Sequence, residues 1–144
     1  MKKNMTKGWS AVLTMISLTL LLSVMNCSSP VNPTPAQQLS VSWNVQSVTK
    51  DGVDVTAQFI NMTLTFTANS FTSTNATPVW PTSGTWKFDD ATDKTFTRSD
   101  GAEVIVTTLS ANSLTLALTW NENVYKGGRT TSVSQPYVFK FSKA

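Results

Sequence analysis

The chain has 144 residues, with 11 Lys plus Arg against 8 Asp plus Glu, no histidine and one cysteine. Without histidine, triads built on imidazole and histidine-ligated metal centres are excluded, and no cofactor is expected. Lys2, Lys3 and Lys7 crowd the N-terminus; without them the charges balance at eight of each sign, so the alkaline composition gives no support to a nucleic-acid partner.

Those three lysines precede an apolar run at residues 11–25, too short to span a bilayer comfortably and placed where a secretory signal belongs. Cys27 follows directly. The arrangement resembles a bacterial lipoprotein signal, which implies removal of residues 1–26, lipid (palmitate-type acyl chains) on Cys27 and membrane anchoring there. Ser28 after the cysteine, rather than aspartate, implies sorting to the outer membrane and leaves the leaflet open. Residues 27–38 then carry Pro30, Pro33 and Pro35, which favour extended backbone, so they read as a tether with a reach of about 30 Å.

Residues 39–144 read as one domain, long enough for a single core. Leu39, Val41, Trp43 and Val45 alternate with polar residues and predict a first strand, closed by the Asp51-Gly52 turn. Met62, Leu64 and Phe66 alternate with Thr63, Thr65 and Thr67 as a second, and Phe71 marks a third. After a Pro-flanked loop at 75–83, Trp86 and Phe88, then Phe96, then Val104 and Val106, then Leu114, Leu116, Leu118 and Trp120 form a meander. Its turns fall at 89–93, 99–101 and 110–113, and Tyr137, Phe139 and Phe141 alternate in a final strand. No helical periodicity is read in the domain, and its abundant threonine suits strands.

Eight sequential antiparallel strands predict an all-β fold, an up-and-down β-barrel that removes exposed edges, with a β-sandwich as the alternative. The Trp43 strand, SGTWKF, ANSLTLAL and the closing YVFKFSK together resemble the lipocalin-like lipoproteins of Bacteroidota-type bacteria, over about residues 39–141. Val41 departs from the glycine of the Gly-x-Trp signature in true lipocalins. The resemblance implies a secreted, anchored domain that holds a small apolar or amphipathic ligand without catalysis. The other function class is a structural, adhesin-like or inhibitor-like module of the envelope.

Carboxylates are the remaining chemistry. Asp89, Asp90 and Asp93, with Asp100 and Glu103, lack the regular oxygen spacing of a calcium loop and read as solvated turns, so no metal site is expected. Asp54 and Glu122 sit in unrelated segments and read as surface charge rather than a glycosidase pair. No catalytic residue is assigned. The many inward aromatics predict a packed core with a shallow mouth rather than a deep pocket. Connections alternate between barrel ends, so 49–60, 75–83, 99–101 and 121–135 should share one end. That mouth places Trp80, Tyr125, Lys126 and Arg129 as candidate ligand-binding residues on a monomer, facing away from the anchored end.

Overall fold

Alternation with a period of two buries one side of each strand, and eight such strands hide all those sides at once by curling into a ring. A computed structural model describes residues 32–89, 91–126 and 129–144, with the backbone alone at 123–126 and 129–131. The strands are β1 (Ser42–Lys50), β2 (Val53–Asp54), β3 (Thr63–Phe66), β4 (Ser70–Thr74), β5 (Ser83–Phe88), β6 (Thr95–Arg98), β7 (Glu103–Leu109), β8 (Ser113–Lys126) and β9 (Arg129–Lys143). β1 pairs with β3, each later strand with the next, and β9 returns to β1, all antiparallel. The fold is thus a closed eight-stranded up-and-down barrel, and β2 is a stub on β1 at Thr49↔Asp54. The sandwich alternative is set aside by the closing β1–β9 ladder.

The inward phase is the one read from the sequence. Leu64, Phe66, Phe71, Phe96, Val104, Leu114, Leu116, Phe139 and Phe141 are buried, whereas Phe88 and Trp120 are only partly so. Phe66 meets Phe71, Trp80, Trp86 and Phe96 at centroid distances of 5.6 to 6.4 Å, so aromatic edges and faces fill the barrel axis. Gly84 is required where β5 crosses Phe71, since a Cβ there would lie 2.8 Å from the Phe71 ring. Leu116→Ala is expected to cost about 2–5 kcal/mol, and Thr115→Ala, on the outer face, well under 1 kcal/mol. Chemical denaturation measures both, and equal losses would reverse the assignment of inside and outside.

At the lower end lie the β3–β4, β5–β6 and β7–β8 turns, the C-terminus and a short helix. That helix, α1 (Pro35–Leu39), corrects the extended tether and the absence of helix expected from sequence. Thr34 and Gln37 cap each other reciprocally, Pro35 sits in the first turn, and Leu39 is fully buried. The Leu39 carbonyl accepts the Trp43 indole N–H at 3.0 Å, so burial of Leu39 and satisfaction of Trp43 hold the helix to β1. Residues 1–26, Cys27 and the first part of the expected tether lie outside the described residues.

The upper end carries the other connections, as the parity argument requires. Asp51 and Gly52, both at positive φ, turn the chain from β1 to β2, and a 3-10 turn (Thr56–Phe59) puts Phe59 against Tyr137 and Phe139. Residues 121–135 were expected as a loop. Residues 121–126 and 129–135 are instead paired strand: β8 and β9 stay in register from Thr119↔Pro136 to Lys126↔Arg129, above the last β7 and β1 partners at Leu118 and Tyr137. The result is a two-stranded arm of eight residue pairs, about 27 Å long at ~3.4 Å per residue.

Candidate functional site

Two features meet at the upper end, a plug and a groove. The plug is built on Arg98, which shares the inward phase of β6 with Phe96 and has its side chain fully buried. A buried guanidinium needs partners on its edge and face. Arg98 Nε–H donates to Asp100 Oδ1 at 3.0 Å, Nη2 pairs with Asp100 Oδ2, and Nη1–H donates to the Val79 carbonyl at 2.9 Å. Its Cζ also lies 4.5 Å from the centre of the Trp80 ring and 5.9 Å from that of Trp120. Partial burial works to raise the Asp100 carboxyl, but the Arg98 guanidinium and the Ala102 N–H outweigh it and hold its pKa below the ordinary carboxylate value.

Trp80 is therefore part of the core. It is fully buried, edge-on to Phe66, Phe71 and Phe139, and stops the barrel below the mouth instead of lining it. Its indole N–H and the Gln135 side-chain oxygen are buried without a hydrogen-bond partner among the described residues. Tyr125, Lys126 and Arg129 fall at the far end of the arm, where Tyr125 faces Thr130 and Lys126 faces Arg129; their side chains lie outside what is described. The four expected mouth residues are thus split between barrel interior and arm tip.

The groove lies beside the plug. Lys50, Asp51, Val53 and Val55 form one wall, and Val133 to Pro136 at the base of the arm form the other, enclosing about 390 Å³. Val53 is 65% exposed and Val133 38%, so both walls offer bare apolar surface. Among the described residues one cation overlooks it: Lys50 Nζ lies 3.5 Å from Glu122 and 5.6 Å from the centre of the Tyr137 ring. Desolvation works to lower the Lys50 pKa, but Tyr137 and Glu122 outweigh it and hold the value above that of an ordinary lysine. The groove suits an apolar body with an anionic or polar end, within the size range of small-ligand sites.

The sequence reading missed this groove. Lys50 carries a usable signal, since it shares the phase of buried Val48, as Arg98 shares that of Phe96. Val53 and Val133 carry none, because only the fold makes them neighbours. Three other carboxylates have structural partners: Asp54 accepts the Thr56 N–H at 2.8 Å, Asp89 accepts the Thr97 hydroxyl at 2.8 Å, and Glu122 pairs with Lys50. Asp90 lies outside the described residues.

The sequence model of the family described as "Lipocalin-like domain" matches residues 41–116, from the start of the barrel into β8. No curated protein and no solved structure matches the chain. With more than half of the chain matched and a closed eight-stranded antiparallel barrel observed, the chain belongs to the lipocalin-like domain family.

Proposed function

We propose that the protein is a lipid-anchored, non-enzymatic binding module of the outer membrane, taking a small apolar or amphipathic ligand in the groove at the barrel mouth. The observation that carries this reading is the bare apolar surface of Val53 and Val133 on facing walls, beside the Lys50 ammonium. Aromatic rings occupy the barrel axis, so the ligand lies at the rim. The charge at Lys50 favours a ligand with an anionic end, which gains from a partly desolvated cation. The anchor is supported by the basic start, the apolar run at 11–25 and Cys27. The inventory supports the non-enzymatic role, since the chain holds no histidine and its one cysteine is the proposed acyl site.

The test uses anilinonaphthalene sulfonate, whose aromatic body and sulfonate match the groove. Saturable fluorescence enhancement is expected with purified protein, weakened about tenfold by Val53→Asp, since a buried valine contributes about 1.5 kcal/mol. Val53 is mostly exposed, so its replacement leaves the core intact. Binding that does not saturate, or that ignores both Val53→Asp and Val133→Asp, overturns the site. Separately, Cys27→Ser should move the protein from the membrane to the soluble fraction, and unchanged membrane association overturns the anchor.

A further inference from the structure

The arm above the barrel poses a physical problem that the groove leaves unsolved. A ribbon of two strands has little independent stability in water, and its edges display unpaired amide groups. One of those edges has an assignable orientation. The Thr115 carbonyl accepts the Thr107 hydroxyl of β7, so the odd-numbered residues of β8 point their peptide groups toward the β7 side. β8 stays in register with β9 to Lys126 without a bulge, so the alternation carries through Asn121, Asn123 and Tyr125. β7 pairs no further along β8 than Leu118, and among the described residues no strand pairs with that edge beyond it. The β9 edge differs. Pro136, whose carbonyl accepts the Asp51 N–H, has no N–H of its own, and the β1–β2 hairpin flanks residues 133–136.

We propose that the β8 edge of the arm is a dimerisation surface, pairing antiparallel with the same edge of a second copy about a twofold axis at Val124. The sequence Glu122-Asn123-Val124-Tyr125-Lys126 is complementary to itself in that register. Glu122, whose carboxylate also lies 3.5 Å from Lys50 of its own chain, falls opposite Lys126 of the second copy, Lys126 opposite its Glu122, and Val124 opposite Val124. The backbone parity agrees: Asn123 and Tyr125, which point their amides outward, form the hydrogen-bonded pairs. Positions 122, 124 and 126 form the non-hydrogen-bonded pairs, where facing residues come closest and opposite charges favour the register. The contact is isologous, so it closes at two copies and leaves no further β8 edge open. A strip this short lies below the size of a permanent interface, so the dimer is weak and concentration-dependent. This replaces the monomer expected from sequence and does not rest on ligand binding.

Sedimentation equilibrium of the purified protein over a wide concentration range tests the pairing. Wild type is expected to pass reversibly from monomer to dimer. Asn123→Pro removes an outward amide and no β8–β9 hydrogen bond, so it should abolish the dimer while the melting temperature holds. Glu122→Lys should also abolish it, by setting like charges opposite each other, and Glu122→Lys with Lys126→Glu should restore it. A wild type that stays monomeric throughout overturns the proposal and leaves the edge to an extended peptide of another protein. A dimer that survives Asn123→Pro, or that is not restored by the double charge reversal, also overturns it.

Discussion

Trp80→Ala is expected to destabilise the protein by about 3–5 kcal/mol, the range for deleting a large aromatic from a packed core. The indole is fully buried and touches Phe66, Phe71 and Phe139 at centroid distances of 5.6 to 6.4 Å, so no neighbour can collapse into the space without breaking its own edge-to-face contacts. The Arg98 guanidinium would lose the closer of its two aromatic faces as well. Trp80→Phe separates packing from polarity. It keeps an aromatic face toward Arg98, gives up part of the volume, and removes an indole N–H that has no acceptor among the described residues. The cost of that variant should be about 1–2 kcal/mol, because relief of an unsatisfied donor offsets part of the lost packing. Urea denaturation of both variants decides this, and a Trp80→Phe loss as large as that of Trp80→Ala would mean that the indole N–H is engaged.

Asp100→Ala is expected to cost about 2–4 kcal/mol. Removing one member of a buried pair leaves the other charge without compensation, and among the described residues the fully buried Arg98 then keeps only the Val79 carbonyl and the Trp80 and Trp120 rings. The figure sits below the value for a wholly buried pair because the Asp100 side chain is 33% exposed and water screens part of the interaction. Arg98→Met together with Asp100→Ala should be less destabilised than Asp100→Ala alone, since an apolar chain of similar length has no charge to strand beside Trp80 and Trp120. A double variant that loses as much as the sum of the singles would contradict this.

The same pair sets a pH dependence. The folded Asp100 carboxyl is held below its ordinary pKa, so its contribution is complete above the unfolded carboxylate value of ~3.9 and is lost as pH falls through the lower, folded value. Wild-type stability should therefore drop on acidification below about pH 4, and Asp100→Asn should flatten that drop. Denaturation midpoints measured from neutral to acid pH show whether it does.

Much of the barrel is legible in the sequence because a strand with one buried side must alternate. Leu114, Leu116 and Leu118 announce the inner face of β8, and Tyr137, Phe139 and Phe141 that of β9, without reference to partners. Polar residues obey the same rule. Thr-Phe-Thr-Arg puts Arg98 on the side of Phe96, so an inward arginine was there to be read; its composition alone suggested solvent. Thr34 followed by Gln37 is likewise a helix start, hidden among prolines that suggest extended chain. The arm is the opposite case. Residues 121–135 are polar and contain Pro136-adjacent Gln135, Ser134 and Ser132, with no alternation of large apolar residues to mark a buried face. Residues 121–126 and 129–135 are strand because each run faces the other in an unbroken register continued from the barrel wall below.

By itself, then, the sequence determined the eight barrel strands, their inward faces, their alternating direction and the balance of charge, all of which depend on residues close together in the chain. Tertiary structure alone decided how far β8 and β9 extend, that Trp80 is drawn inside as the plug, and that Val53 meets Val133 across a groove. The physical reason is sequence separation: cross-strand pairing, the approach of Arg98 to Trp80 and Trp120, and the closing of a groove each depend on groups brought together only when the sheet curls shut.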